Sequence, residues 1–156
     1  MRPIKEFYWR RGLKNADSSK HRLKNDNPKV TVLTTNQDFL SIVKKYFTDA
    51  DFVYFENIKR PKDERVKTFH LYKNDLNFKG EPKRFIPEPG DNHILLNLEQ
   101  NPANLSWYWY ARCYDIKVDL SGTYDDADLS ITNPNLSLDN QLIMLKDMLK
   151  VMTTNE

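Results

Sequence analysis

Asp91, Asp115 and Lys117 have the residue types and order of a metal-dependent nuclease site. Asp91 follows Pro89 and Gly90 just ahead of an apolar stretch, and Asp115-Ile116-Lys117 lies inside a second strand-like stretch. Alternation along a strand puts Asp115 and Lys117 on one face. Two carboxylates there would hold Mg²⁺ against a phosphate, and the lysine would orient the attacking water. The match is loose, since Asp91 precedes its strand where such sites carry the acid near the strand's far end. Other chemistry is thinner still. His21, His70 and His93 have no partner at ligand spacing, and the single Cys113 excludes an intrachain disulfide and a cysteine zinc cluster. The chain carries no Gly-x-Ser-x-Gly elbow, phosphate loop or dinucleotide fingerprint, and only 4 glycines in all. The acidic positions Asp115, Asp119, Asp125, Asp126 and Asp128 lack the glycine and closing glutamate of a calcium loop, so they read as a solvated turn. No cofactor and no metal site is therefore assigned, with Mg²⁺ entering only under the nuclease alternative.

Binding chemistry is better represented than catalysis. In the stretch 107–114, Trp107, Trp109, Ala111 and Cys113 alternate with Tyr108, Tyr110, Arg112 and Tyr114. A strand would present the tyrosines and the arginine together, a platform for stacked bases or a protein hot spot. Near the N-terminus, Lys5, Arg10 and Arg11 bracket Phe7, Tyr8 and Trp9, and Lys14, Lys20, His21, Arg22 and Lys24 follow in a segment poor in apolar side chains. Basic groups on such an arm neutralise phosphates or dock on an acidic protein surface. The expected partner-binding residues are Arg10, Arg11, Lys14, Lys20, Arg22, Lys24, Tyr108, Tyr110 and Arg112.

Charge is unevenly laid out. The formal net charge is +2, yet residues 1–84 carry 20 Lys and Arg against 11 Asp and Glu, a net of +9. Residues 85–156 carry 4 against 11, a net of −7. Such asymmetry points to a nucleic-acid or anionic partner, or to halves that attract each other within one fold or across a homodimer. The composition, rich in Lys and Asn with few Gly and Ala, suits an AT-rich coding sequence of the kind found in phages and mobile elements.

The elements that must position these groups follow from periodicity. With 156 residues, 39% apolar and 29% charged, the chain is about one domain and neither disordered nor membrane-embedded. It lacks the apolar run of a signal peptide, and its cysteine usage suits a reducing cytoplasm. Residues 1–28 read as a basic strand and flexible arm, and 29–156 as the core domain. Strands are expected over 29–34, 52–56, 65–73, 93–98 and 106–120. Asn36 caps a helix over 37–47, and Ser137 caps another with the apolar seam Leu138, Leu142, Leu145, Leu149 and Met152. The expectation is an α+β domain with an antiparallel or mixed sheet of about five or six strands and two helices on one face. The expected function is a small non-enzymatic binding or inhibitor-type protein, an accessory or immunity-like product of a phage or mobile element. It would dock on a protein or nucleic acid, with no membrane partner, and the metal-dependent nuclease stands as the alternative.

Overall fold

A computed structural model describes residues 23–153 apart from positions 26, 35, 37, 57, 64–69, 79–80, 84–88, 99–113, 123–126 and 134. The Val- and Thr-rich run Lys29–Thr34 forms β1, buried at every position after Lys29. Helix α1, Asp38–Tyr46, follows, and Asn36 starts it by accepting the Asp38 N–H on Oδ1 at 3.0 Å. Strand β2, Ala50–Glu56, then leads to β3, His70–Tyr72, which closes in a single 3₁₀ turn, Lys73–Asp75. Strands β4, His93–Asn97, and β5, Ile116–Asp119, are buried at every position. A two-residue strand β6, Leu129–Ser130, precedes helix α2, Leu138–Met152, whose Ser137 hydroxyl accepts the Asn140 N–H.

Among the described residues these strands make one sheet in the order β3-β2-β1-β4-β5-β6, and every pairing is parallel. The antiparallel or mixed sheet expected from sequence is overturned, and the class is α/β rather than α+β. The physical reason is visible in the connections. Parallel neighbours need a crossover of a dozen residues or more. The segments 57–69 and 98–115 supply that length between β2 and β3 and between β4 and β5, and α1 itself bridges β1 to β2, whereas the two-residue edge strand β6 is reached through the shorter segment 120–128. Uninterrupted burial along β4 and β5 is likewise the mark of strands covered on both faces. The stretch whose acidic positions, Asp128 among them, read as a solvated turn contributes β6 at Leu129–Ser130. Of the long strand expected over 106–120, Ile116–Asp119 is observed and 106–113 lies outside the described residues.

Both helices pack on one sheet face, as expected. There Val30 and Val32 of β1, Ile94 and Leu96 of β4, and Ile116 and Val118 of β5 meet Val43 and Phe47 around α1 and Leu142, Leu145 and Leu149 of α2. The Tyr46 hydroxyl donates to Asp139 Oδ1 at 2.7 Å and ties the two helices together. Leu23 belongs to this core, 1% exposed, and pairs in parallel with Thr153 beyond the end of α2. Asn92, at φ 57°, fixes the neighbouring chain. Its Oδ1 accepts the Lys24 and Asn25 N–H groups, and its amide donates to Asn25 Oδ1. Among the described residues no helix is long and apolar enough to cross a membrane.

Leu145 is fully buried at the centre of the α2 seam. Leu145→Ala should lower unfolding free energy by about 2–5 kcal/mol, the range for truncating a core leucine. Denaturant unfolding should show the midpoint falling at constant m. A midpoint shift no larger than that of the exposed Met144→Ala would show that the helix does not dock as described.

Candidate functional site at the carboxyl edge of the sheet

Alternation divides the sheet residues between two faces, and the second face is unusual. Opposite the helix-covered side, β4 presents His93, Leu95 and Asn97, and the chain entering and forming β5 presents Asp115, Lys117 and Asp119. Thr31 and Leu33 of β1 complete the rows. The polar members of this set, Thr31, His93, Asn97, Asp115, Lys117 and Asp119, are each at most 8% exposed. Buried polar groups on a parallel sheet must be hydrogen-bonded to be tolerated. His93 and Asp115 lie at the amino ends and Asn97 and Asp119 at the carboxyl ends, with Thr31 and Lys117 level with Leu95 between them.

At the carboxyl ends, Asp119 and Asn97 are fully buried and sit side by side in register. One carboxylate oxygen, Asp119 Oδ1, accepts three donors: the Ser121 N–H at 2.9 Å, the Ser121 hydroxyl at 2.6 Å and the Asn97 amide at 3.1 Å. The Asn97 amide also donates to Ser121 Oγ at 3.1 Å. Ser121, half-buried, is thus the member nearest the surface, held by two groups that are not accessible. Gly122 follows with φ 78°, a backbone angle that a residue with a Cβ rarely adopts, and turns the chain directly after Ser121. Gln141 of α2 braces this turn from below, donating to the Ile131 carbonyl at 2.6 Å and to that of Leu120 at 3.4 Å. One strand pair away, β1 ends in Thr34, whose hydroxyl accepts the Asn36 N–H at 2.9 Å and shapes the turn into the N-terminus of α1. Exposed Asn36 and buried Thr34 therefore share this edge with Asn97, Asp119 and Ser121.

The amino ends carry a second, separate cluster. Thr31 Oγ1 lies 2.8 Å from His93 Nε2, the His93 N–H donates to Asp115 Oδ2 at 3.1 Å, and the Tyr114 ring meets His93 edge-on. Burial first, and the Lys29 ammonium second, push the His93 imidazolium down to about 4, against the opposing pull of Asp115, Asp51 and Asp49.

The residues singled out from sequence fall variously on this frame. Asp115 and Lys117 do share one face, and both are buried. Asp91 lies in the turn before β4, its side chain 63% exposed and ion-paired with Lys24 at 3.0 Å. Both aspartates thus belong to the amino edge, opposite the carboxyl edge, in different environments. Among the described residues no group of three or more His, Cys, Asp or Glu gathers to hold a metal ion. Asp115 and Asp119 are not part of a solvated turn, and Asp128, half-buried, accepts the Lys117 N–H on Oδ2 at 2.8 Å. Of the partner-binding residues, Lys24 is exposed and engaged with Asp91. Arg10, Arg11, Lys14, Lys20, Arg22, Tyr108, Tyr110 and Arg112 lie outside the described residues. Sequence reasoning missed Asn97 and Ser121 altogether and misread Asp119. The available signal was the alternation Asp-Ile-Lys-Val-Asp-Leu over 115–120, which in a sheet covered on both faces means a buried polar row.

A scan against protein-family models finds no match, and searches of curated proteins and of solved structures find none either.

The His93 cluster makes stability depend on pH in a set direction. Its folded-state value near 4 lies below the ordinary 6.5. Above about pH 6.5 both folded and unfolded histidine are neutral and the contribution is complete. As pH falls from there toward 4, only the unfolded chain takes up the proton. Stability from this group is lost through that window, by up to about 1.4 kcal/mol per pH unit. Chemical denaturation at pH 7 and pH 5 should show a smaller drop for His93→Gln than for the parent, and parallel drops would remove His93 as the source.

Proposed function

We propose that this chain binds a small polar ligand of the nucleoside or nucleotide class at the carboxyl edge of its sheet, where β1 and β4 lie side by side. The observation that carries the reading is the strand order β3-β2-β1-β4-β5-β6 with every pairing parallel. The chain leaves β1 toward β2 on one side and leaves β4 toward β5 on the other. In open parallel sheets of this order the diverging loops leave a crevice at the carboxyl ends, and dinucleotides bind across it. A fold alone does not specify a ligand, so the site's own groups matter. Thr34, Asn36, Asn97, Asp119 and Ser121 concentrate hydroxyl, amide and carboxylate groups at that edge, and the N-terminus of α1 opens there as well.

The turn that would cradle a phosphate departs from the familiar pattern. Between β1 and α1 the sequence is Thr-Asn-bearing and has no glycine across 34–38. A pyrophosphate seated on bare backbone needs glycines for close approach. Recognition here would fall to side chains, with the buried Asp119 and Asn97 holding Ser121 in place and Asn36 presented at the mouth. Sugar hydroxyls and base edges, which both donate and accept, suit such a set.

Thermal denaturation with adenosine, ATP and NAD tests the reading. A ligand present at about 100 times its Kd adds about 2.7 kcal/mol, which raises Tm by roughly 5–10 °C for a domain of this size. Ser121→Ala should weaken binding of the same ligand by about tenfold, the effect of losing a hydrogen bond worth about 1.4 kcal/mol. Absence of any shift with all three compounds at millimolar concentration would overturn it.

A further inference from the structure

The carboxyl edge continues past β1 to β2 and β3, whose last residues Glu56 and Tyr72 pair in register. The chain leaving both strands is stitched into one corner. The Lys73 N–H donates to the Ile58 carbonyl at 2.9 Å, and the Arg60 N–H donates to Asn74 Oδ1 at 2.9 Å. The Arg60 guanidinium also ion-pairs with Asp75, whose other carboxylate oxygen accepts the Tyr72 N–H at 2.9 Å. From Asp75 the chain forms a small closed loop. Leu76 bridges Pro82 antiparallel, the Lys83 N–H donates to the Asp75 carbonyl at 2.9 Å, and the Asn77 N–H donates to the Glu81 carbonyl at 2.8 Å. Phe78 stands near the tip of this loop, 62% exposed, and Ile58 at the base of the corner is 56% exposed. Lys59, Lys62, Lys73 and Lys83 are exposed around them. With Arg60 engaged by Asp75, the acids that face these four lysines among the described residues of the corner are exposed Asp63 and half-buried Glu81, which leaves two positive charges in excess.

We propose that this corner binds single-stranded nucleic acid, its phosphates meeting the four lysines and an unpaired base stacking on Phe78. Lysines beside an exposed aromatic ring track a nucleic-acid backbone and stack its bases without reading sequence. A lone exposed apolar group needs no explanation. Here the groups stand on a backbone fixed from beneath by the Arg60–Asp75 pair, the Asp75 side chain being only 7% exposed, so little ordering remains to be done on binding. Position supplies the choice among anionic partners. Thr34, at the end of β1, pairs with Tyr54 of β2, so the corner adjoins the crevice between β1 and β4 on the same edge. On that point the inference rests on the nucleotide reading of the crevice: a strand lying along the edge would seat one nucleotide there and its neighbours on the lysines. An anionic membrane surface would meet the same charges, but adsorption to it draws on a broad apolar face, and Ile58 and Phe78 do not make one.

Fluorescence anisotropy of the full chain with labelled strands of about a dozen thymidines or uridines tests this. At least one strand should bind with a Kd of roughly 1–100 μM, the range of sequence-independent binding, and the tighter of the two identifies the sugar. With four lysines each meeting a phosphate, affinity should fall roughly 50-fold between about 50 and 200 mM salt. Lys59→Glu combined with Lys73→Glu should weaken binding about tenfold or more and flatten that salt dependence. The same charge change made in the last turns of α1 and α2, Lys44→Glu with Lys150→Glu, should leave binding close to that of the parent. Phe78→Ala should weaken binding about tenfold at an unchanged salt slope, the loss of one stacked base. All these positions are exposed, so each variant should keep the parent's Tm. Equal losses in the two charge-reversed variants would reduce the effect to net charge and overturn the proposal, as would binding to phosphatidylserine vesicles with none to either strand. A rise in Tm with a mononucleotide but no strand binding overturns this proposal alone. Strand binding that the Lys59 and Lys73 substitutions abolish, with no mononucleotide raising Tm, supports the corner and overturns only the reading of the crevice.

Discussion

A strand paired in parallel on both sides, as Lys29–Thr34 is with Ala50–Glu56 and His93–Asn97, leaves the chain no tight turn by which to reach either neighbour. Each return must cross a face of the sheet, and the faces must then be covered. Helix α1 makes the first return, and α2 settles beside it, so that Val30, Val32, Ile94 and Leu96 lie beneath two helices. The same constraint orders the loops. All strands end at one edge, which is why Thr34, Asn97 and Ser121, far apart in sequence, arrive at a common place.

The face away from these helices shows what that burial costs and how the cost is met. Asp119 has no exposure, and an isolated carboxylate in that position would be strongly destabilising. Three donors on a single oxygen offset the loss, and two of them come from Ser121. Such a network holds its members in one arrangement, since any shift leaves a buried charge less well satisfied. The half-buried Ser121 hydroxyl is thereby held in place by neighbours that have no exposure of their own.

The sequence was legible in its periodicities and opaque in its directions. Apolar spacing located β1 to the residue, α1 within a residue at either end, and the seam Leu142, Leu145 and Leu149 that α2 buries. Ser137 and Asn36 act as the caps their types suggested. Whether two strands run the same way is not written in either strand, because alternation looks alike in both orientations. It is written in the length between them, and the long polar connections were the neglected evidence. The site suffered from the same error. With one sheet face assumed open to water, the charges of 115–119 belong to solvent, and only a sheet closed on both faces turns Asp115, Lys117 and Asp119 into interior groups.

Parallel pairing has one more consequence, in time rather than in space. The hydrogen bond between Thr31 and His93 joins residues 62 apart in the chain, and the Asn92 contacts with Lys24 and Asn25 join residues 68 and 67 apart. Apart from the small antiparallel bridge between Leu76 and Pro82, the described strand pairings must wait for a long loop to close. The central pair β1–β4 has to form while much of the intervening chain is still unpaired. During that interval the edges of apolar strands such as His-Ile-Leu-Leu-Asn stand open to other molecules. The polar ends of β4, His93 and Asn97, are therefore also what distinguishes the correct neighbour from an incorrect one, because only the native register gives them their partners.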